Sequence, residues 1–187
     1  DGNSNLQPDW AWFKKRGAAE GHALVDTNRG IDRFLASNST AVEQHQPTTG
    51  NTDADDIASF DTDGFTFSGG GGAYNQSSNT YVAWQWKSAG GTTSTNSDGT
   101  VNTTMQLNST AGFSIITWTG NGSSTGTVGH GLGAIPDCII VKRRESTSNW
   151  SVAFPKFETS KLLALNLNSA FFTASGLSSY NSSTFVD

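Results

Sequence analysis

Short apolar or alternating runs, separated by clusters of Gly, Asn, Ser and Asp, follow one another along the whole chain, and helical periodicity is almost absent. The pattern predicts strands near 9–15, 22–26, 32–37, 57–60, 64–68, 80–86, 101–106, 112–119, 137–143, 149–154, 161–166 and 183–186. Turn chemistry punctuates them. Asp61-Thr62-Asp63-Gly64 separates Ile57-Ala58-Ser59-Phe60 from Phe65-Thr66-Phe67 and predicts a tight hairpin, since Gly accepts the positive φ such reversals require. Asn96-Ser97-Asp98-Gly99 precedes Thr100-Val101 in the same manner. Gly69-Gly70-Gly71-Gly72 reads as a flexible surface loop. Residues 88–96 carry no apolar pattern, so the chain divides into a part over 1–87, a linker over 88–100 and a part over 101–187.

The two parts resemble each other. Pro8-Asp9-Trp10-Ala11-Trp12-Phe13-Lys14-Lys15-Arg16 lines up with Pro136-Asp137-Cys138-Ile139-Ile140-Val141-Lys142-Arg143-Arg144, at the 128-residue displacement from Pro8 to Pro136. Each run is Pro-Asp, an apolar strand and three basic residues. Without a gap, the same displacement carries Arg33-Phe34-Leu35-Ala36-Ser37-Asn38 onto Lys161-Leu162-Leu163-Ala164-Leu165-Asn166. After an eight-residue deletion, Ser59–Phe65 falls on Ser179–Phe185. A domain-sized period of this kind predicts tandem β-sandwich units, each incomplete. The first part lacks an equivalent of Gly112–Trp118, and the second lacks an equivalent of Asn79–Lys87. Because an open sheet edge is a template for another strand, neighbouring copies or further parts of the same chain are expected to complete the sheets.

An ordered series of motifs carries a family resemblance: Gly112-Phe113-Ser114-Ile115-Ile116, Thr119-Gly120-Asn121-Gly122, Val128-Gly129-His130-Gly131-Leu132-Gly133, Pro136-Asp137, Ile139-Ile140-Val141-Lys142 and Trp150. Ser59–Phe65 followed by Asn79-Thr80-Tyr81-Val82-Ala83-Trp84 completes it. The series resembles a repeated β-sandwich domain of unknown function found in tail fibre and virion structural proteins of marine tailed bacteriophages. The resemblance implies an all-β fold of concanavalin-like or jelly-roll antiparallel sandwich units on a virion surface or extracellular fibre. It implies no ligand and no catalytic residue.

Composition agrees with strands joined by polar turns: 14% of residues are charged, aromatics reach 11%, and six are Trp. The net charge of −5 comes from scattered acids, and the bases form no long stripe. Capture of nucleic acid is therefore not expected. No apolar run approaches the roughly 20 residues a membrane-spanning helix needs, so membrane insertion is not expected either. One cysteine, Cys138, excludes an intrachain disulfide and a cysteine-based zinc site. Its setting in Cys138-Ile139-Ile140-Val141 predicts a small buried apolar side chain.

Each chemically distinctive group has a plainer reading. His130, between two glycines, is expected to hydrogen-bond within a tight turn, because no acidic or nucleophilic motif accompanies it. His22 and His45 stand apart from any HxH or HExxH spacing. Asp53, Asp55 and Asp56, followed by Asp61 and Asp63, form the densest acidic cluster, and Ca²⁺ is the cofactor such loop oxygens would take. The spacing lacks the Gly and terminal Glu of an EF-hand, so a solvated turn is the plainer expectation. Trp10 and Trp12 share one face of their strand, and Trp84 and Trp86 share one face of theirs. Aromatics on a sheet most often pack a core, which is the expectation; exposed, these four would form a stacking platform for sugar rings. Lys14-Lys15-Arg16 and Lys142-Arg143-Arg144 read as polar strand ends, and the Asn-X-Ser/Thr triplets as products of a polar composition.

Together these features describe a noncatalytic structural component of a virion appendage or fibre. Its expected partners are copies of itself or other fibre proteins, with host-surface glycan as a further contact. A lectin-like carbohydrate-binding module and a glycan depolymerase are the competing readings. An exposed Trp pair would favour the first, and two opposed carboxylates with a raised pKa the second.

Overall fold

The structure, a computed structural model, describes residues 5–45, 57–69, 74–173 and 176–186. Among the described residues there is no helix, and every named strand pairing is antiparallel. The fold is all-β, as the periodicity predicts. Packing separates two units: residues 1–90 with 143–148, and residues 91–142 with 149–187.

The first unit contains β1 (Trp10–Lys15), β2 (His22–Asp26), β3 (Gly30–Leu35), β4 (Gln44–His45), β5 (Ile57–Asp61), β6 (Gly64–Phe67) and β7 (Tyr81–Trp86). Five of them form one sheet in the order β4-β3-β2-β1-β7, and β5 and β6 form the hairpin expected around Asp61–Gly64. Alternation along β1 places Ala11 and Phe13 on the inner face. There they join Ala23, Val25, Ile57, Phe60 and Tyr74 in one buried cluster. Phe13 meets Phe65 at 5.0 Å and Tyr74 at 5.1 Å between ring centroids, both edge to face. Such geometry places the positive edge of one ring on the negative face of the next.

The second unit contains β8 (Ser94–Asn96), β9 (Thr103–Asn108), β10 (Phe113–Trp118), β11 (Thr127–Gly129), β12 (Ile139–Val141), β13 (Ser151–Phe154), β14 (Glu158–Ala164), β15 (Phe172–Thr173) and β16 (Thr184–Val186). One sheet runs β12-β13-β14-β15; others run β10-β9-β8 and β11-β16. Their apolar faces meet around Val101, Val128, Ala153, Leu162, Leu177 and Phe185, with Ile116, Trp118, Ile139 and Val141 packed against them. This is a sandwich core drawn from facing sheets. The stretch read as a linker over 88–100 includes β8, which pairs with β9, so only part of it is connection.

The 128-residue displacement reappears in the strand pairings. Ala11 faces Val25 and Ile139 faces Ala153; Leu24 faces Leu35 and Val152 faces Leu163. Arg33 faces His45, and Lys161 faces Thr173. Even the register shift recurs, before Asp26 in one sheet and before Phe154 in the other. The sheets differ at one edge. Among the described strands, β1 carries β7 on its second side, whereas β12 pairs only with β13.

That edge explains a correction. Cys138 is exposed, not buried, and so is its neighbour Ile140. Ile140 lies on the outer face of β12, with Cys138 just before the strand, while Ile139 and Val141 turn to the core. The apolar run Cys138–Val141 suggested burial on both faces; only alternate residues receive it.

Candidate functional site

The outer face of the first sheet gathers the tryptophans. β1 and β7 pair so that Trp10 lies opposite Trp86 and Trp12 opposite Trp84. Directly opposite residues of antiparallel strands share a face, so two same-face pairs become one patch of four. The indole centroids lie 4.5 Å apart for Trp10–Trp86, 6.1 Å for Trp10–Trp12 and 5.9 Å for Trp12–Trp84. The sheet carries its core on the opposite face, so the expected core packing of these four gives way to a surface array. Trp84 is 46% exposed and Trp86 38%.

Asp9 fixes the start of β1 against the end of β7. Its fully buried side chain accepts hydrogen bonds from the backbone N–H groups of Ser88 at 2.6 Å and Gly90 at 2.9 Å, and from the Thr27 hydroxyl at 3.0 Å. A carboxylate bonded in this way anchors three segments at once. At the other end, Lys15 is buried and donates to the Gln76 side-chain carbonyl at 2.6 Å, with Glu20 at 3.7 Å. Lys14 donates to the carbonyls of Lys15 and Ala18. The basic run therefore does more than end a strand: it closes the loop that follows.

His22, which had no distinguishing spacing in the sequence, borders the array. Trp12 Nε1–H donates to His22 Nδ1 at 2.9 Å, and the His22 backbone N–H donates to Asn38 Oδ1 at 2.9 Å. Partial burial, aided by the nearby Lys14 charge, holds the His22 pKa below its ordinary value. The neutral ring accepts from Trp12 through Nδ1 and therefore carries its proton on Nε2. Sequence gave no sign of this pairing because it depends on His22 standing opposite Lys14, one cross-strand step from Trp12.

A second polar cluster occupies the β3–β4 side of the same unit. Burial of Glu43 works to raise its pKa, but hydrogen bonds from Arg144 and Arg29 and their charges outweigh it and hold it at about 2. Arg144 makes a two-pronged contact, Nε to Oε2 at 2.9 Å and Nη2 to Oε1 at 2.6 Å. Arg29 bridges Glu43 at 3.0 Å to the buried Asp26 at 2.5 Å. A shallow pocket here is lined by Arg33, Val42, Glu43, His45, Arg144 and Glu145.

The remaining candidates are accounted for individually. His130 is buried; its Nδ1 accepts from the Leu132 N–H at 3.2 Å and its Nε2 faces the Asn181 carbonyl at 3.2 Å, the turn-bonding role expected of it. The neighbouring Gly131 has φ +72°, and a Cβ there would meet the Met105 sulfur at 2.4 Å, so both conformation and space require glycine. Asp61 accepts from the Ser59 and Thr66 hydroxyls, each at 2.7 Å, within its hairpin. Asp53, Asp55 and Asp56 lie outside the described residues. Among the described residues, no group of three or more His, Cys, Asp or Glu side chains is placed to hold a metal ion. No helix there is long and apolar enough to cross a membrane.

Fold and site thus define an all-β protein of antiparallel sandwich sheets bearing an exposed aromatic face. Residues 2–186 match the domain of unknown function DUF7483, and the chain belongs to that family. No curated protein and no solved structure shows a significant match.

Proposed function

We propose that the protein is a noncatalytic structural and attachment component of a virion appendage or extracellular fibre, which contacts host-surface glycan through its tryptophan face. The observation that carries the glycan contact is the exposure of Trp84 and Trp86 on a five-stranded sheet, continuous with Trp10 and Trp12. A sugar ring presents C–H groups on one face, and the electron-rich face of an indole attracts them while excluding water. His22 adds a polar group at the border of the array. The resemblance to tailed-phage fibre domains supplies the setting. The matching registers of the two sheets support tandem, concanavalin-like or jelly-roll units as its architecture.

The same tryptophan exposure favours a lectin-like activity over a depolymerase. Glu43, the most buried acid of the pocket, is held ionised by arginines and is unsuited to proton donation. Binding to an array of bacterial surface polysaccharides tests the proposal. Trp84→Ala and Trp86→Ala should each weaken binding at least tenfold, or about 1.4 kcal/mol, with the far-UV spectrum unchanged. Glycan binding that survives both substitutions, or a wild-type protein that binds no surface glycan, would overturn the tryptophan-face assignment.

A further inference from the structure

The border of the tryptophan face is chemically one-sided. Lys14 follows Trp10 and Trp12 at the same parity along β1, so it lies on their face of the sheet, opposite His22 on β2 and Val82 on β7. It is half-buried. Its Nζ donates to the carbonyls of Lys15 and Ala18 at 2.5 and 3.2 Å, which tethers the ammonium and leaves the third of its three N–H groups for a ligand. His22 supplies a second donor. Its Nδ1 accepts from the Trp12 N–H, so the proton of the neutral ring sits on Nε2. Acids beside the array are already bound: Asp26, opposite Trp10, by Arg29, and Asp9 by the N–H groups of Ser88 and Gly90. What the border offers a ligand is N–H donors and one positive charge.

We infer that the tryptophan face selects acidic sugars, taking a hexuronate whose C–H face stacks on the indoles and whose carboxylate accepts from Lys14 Nζ and His22 Nε2. The inference rests on the glycan-contact reading above and adds to it the class of sugar. An ionised carboxylate is an acceptor only, so it matches a border of donors, and a charged acceptor gains about twice what a neutral one does from each bond. The hydroxymethyl group that a neutral hexose carries at the same ring position draws nothing from the ammonium charge. Geometry allows stacking and ion pairing together. Two residues apart on one strand, Trp12 and Lys14 have Cα atoms separated by about 7 Å, a distance that one sugar residue spans, and the carboxylate of a hexuronate stands at the edge of its ring. The chain as a whole carries a net charge of −5, so its overall field does not draw polyanions. The preference is local to Lys14.

Titration calorimetry of the full chain tests this with glucuronate and galacturonate oligosaccharides, each beside its methyl ester. At about 0.15 M salt, screening over about 8 Å confines the comparison to nearby charges. Esterification keeps the ring and its C–H face and removes the charge. At least one of the two acids should bind about fivefold tighter than its ester. Lys14→Gln should bring that ratio close to one, and Lys14→Arg, which keeps the charge, should retain most of it. Trp84→Ala should weaken acid and ester alike, which separates failure of the stacking face from failure of the acid preference. Equal affinities for acid and ester, a ratio unmoved by Lys14→Gln, a ratio that falls equally in both Lys14 variants, or binding of neither sugar would each overturn the inference. Equal affinities that Trp84→Ala still reduces would leave the tryptophan face standing as a site for uncharged sugars.

Discussion

The outer faces of the two corresponding sheets carry opposite solutions to the same backbone. In the first, β1 is flanked on both sides, and its outward positions are filled by Trp10 and Trp12 beside Trp86 and Trp84. In the second, the corresponding positions are Ile140, on a strand paired only with β13 among the described strands, and Cys138 just before it. The inward positions hardly differ: Ala11 and Phe13 serve one core, Ile139 and Val141 the other. Inward residues answer to packing, which both sheets require. Outward residues are released from it and diverge, and there the two sheets acquire different surface chemistry.

The Pro-Asp motif offers the sharpest way to break this correspondence. Asp9 is buried and bonds two backbone N–H groups, while Asp137 is exposed against Lys156. Asp9→Ala should cost about 3 kcal/mol, because buried donors lose their acceptor. Asp137→Ala should cost under about 0.5 kcal/mol of stability, as exposed ion pairs do. Urea denaturation measures both, and equal losses would mean that the motif has one role in both units.

A smaller effect separates the units by pH. Glu43, in the first unit, has its pKa lowered from 4.5 to about 2. A carboxylate with a depressed folded pKa contributes its stability above the unfolded value and loses it as pH falls toward the folded one. The first unit should therefore lose on the order of 2 kcal/mol between about pH 5 and pH 2, after allowance for solvent screening at the partly exposed arginines. In acid titrations followed by circular dichroism, Glu43→Gln should be less stable at pH 7 and should flatten this dependence.

The smallest effect sharpens the picture of the tryptophan face. Protonation of His22 turns Nδ1 from acceptor into donor and removes the bond from Trp12. Its folded pKa lies below the ordinary 6.5, so the bond persists at neutral pH and is lost as the solution becomes more acidic. Tryptophan fluorescence should change in that range by a titration that His22→Gln abolishes. The accompanying stability change should stay below about 1 kcal/mol.

Much of the fold was legible in the alternation of apolar residues. The runs at 9–15, 22–26, 57–60 and 80–86 correspond to β1, β2, β5 and β7 within one residue at either end. The strands that escaped were Gln44–His45, Ser94–Asn96, Thr127–Gly129 and Phe172–Thr173. Each is two or three residues long, too short to show a period, and each exists because a neighbouring strand offers it hydrogen bonds. The same-face pairing of Trp10 with Trp12 and of Trp84 with Trp86 was also legible. Their union into one array was not, because nothing local specifies that residues 81–86 return to lie beside residues 10–15.

By itself, then, the sequence determined the all-β class, most strand positions and the correspondence between the two sheets, since these depend on side-chain alternation and turn chemistry within a few residues. Only the tertiary structure decided which side of each strand faces solvent, that Cys138 and Ile140 are exposed, and that four tryptophans meet beside His22. Burial is a property of what packs against a strand, and the strands that pack together here are separated by many tens of residues.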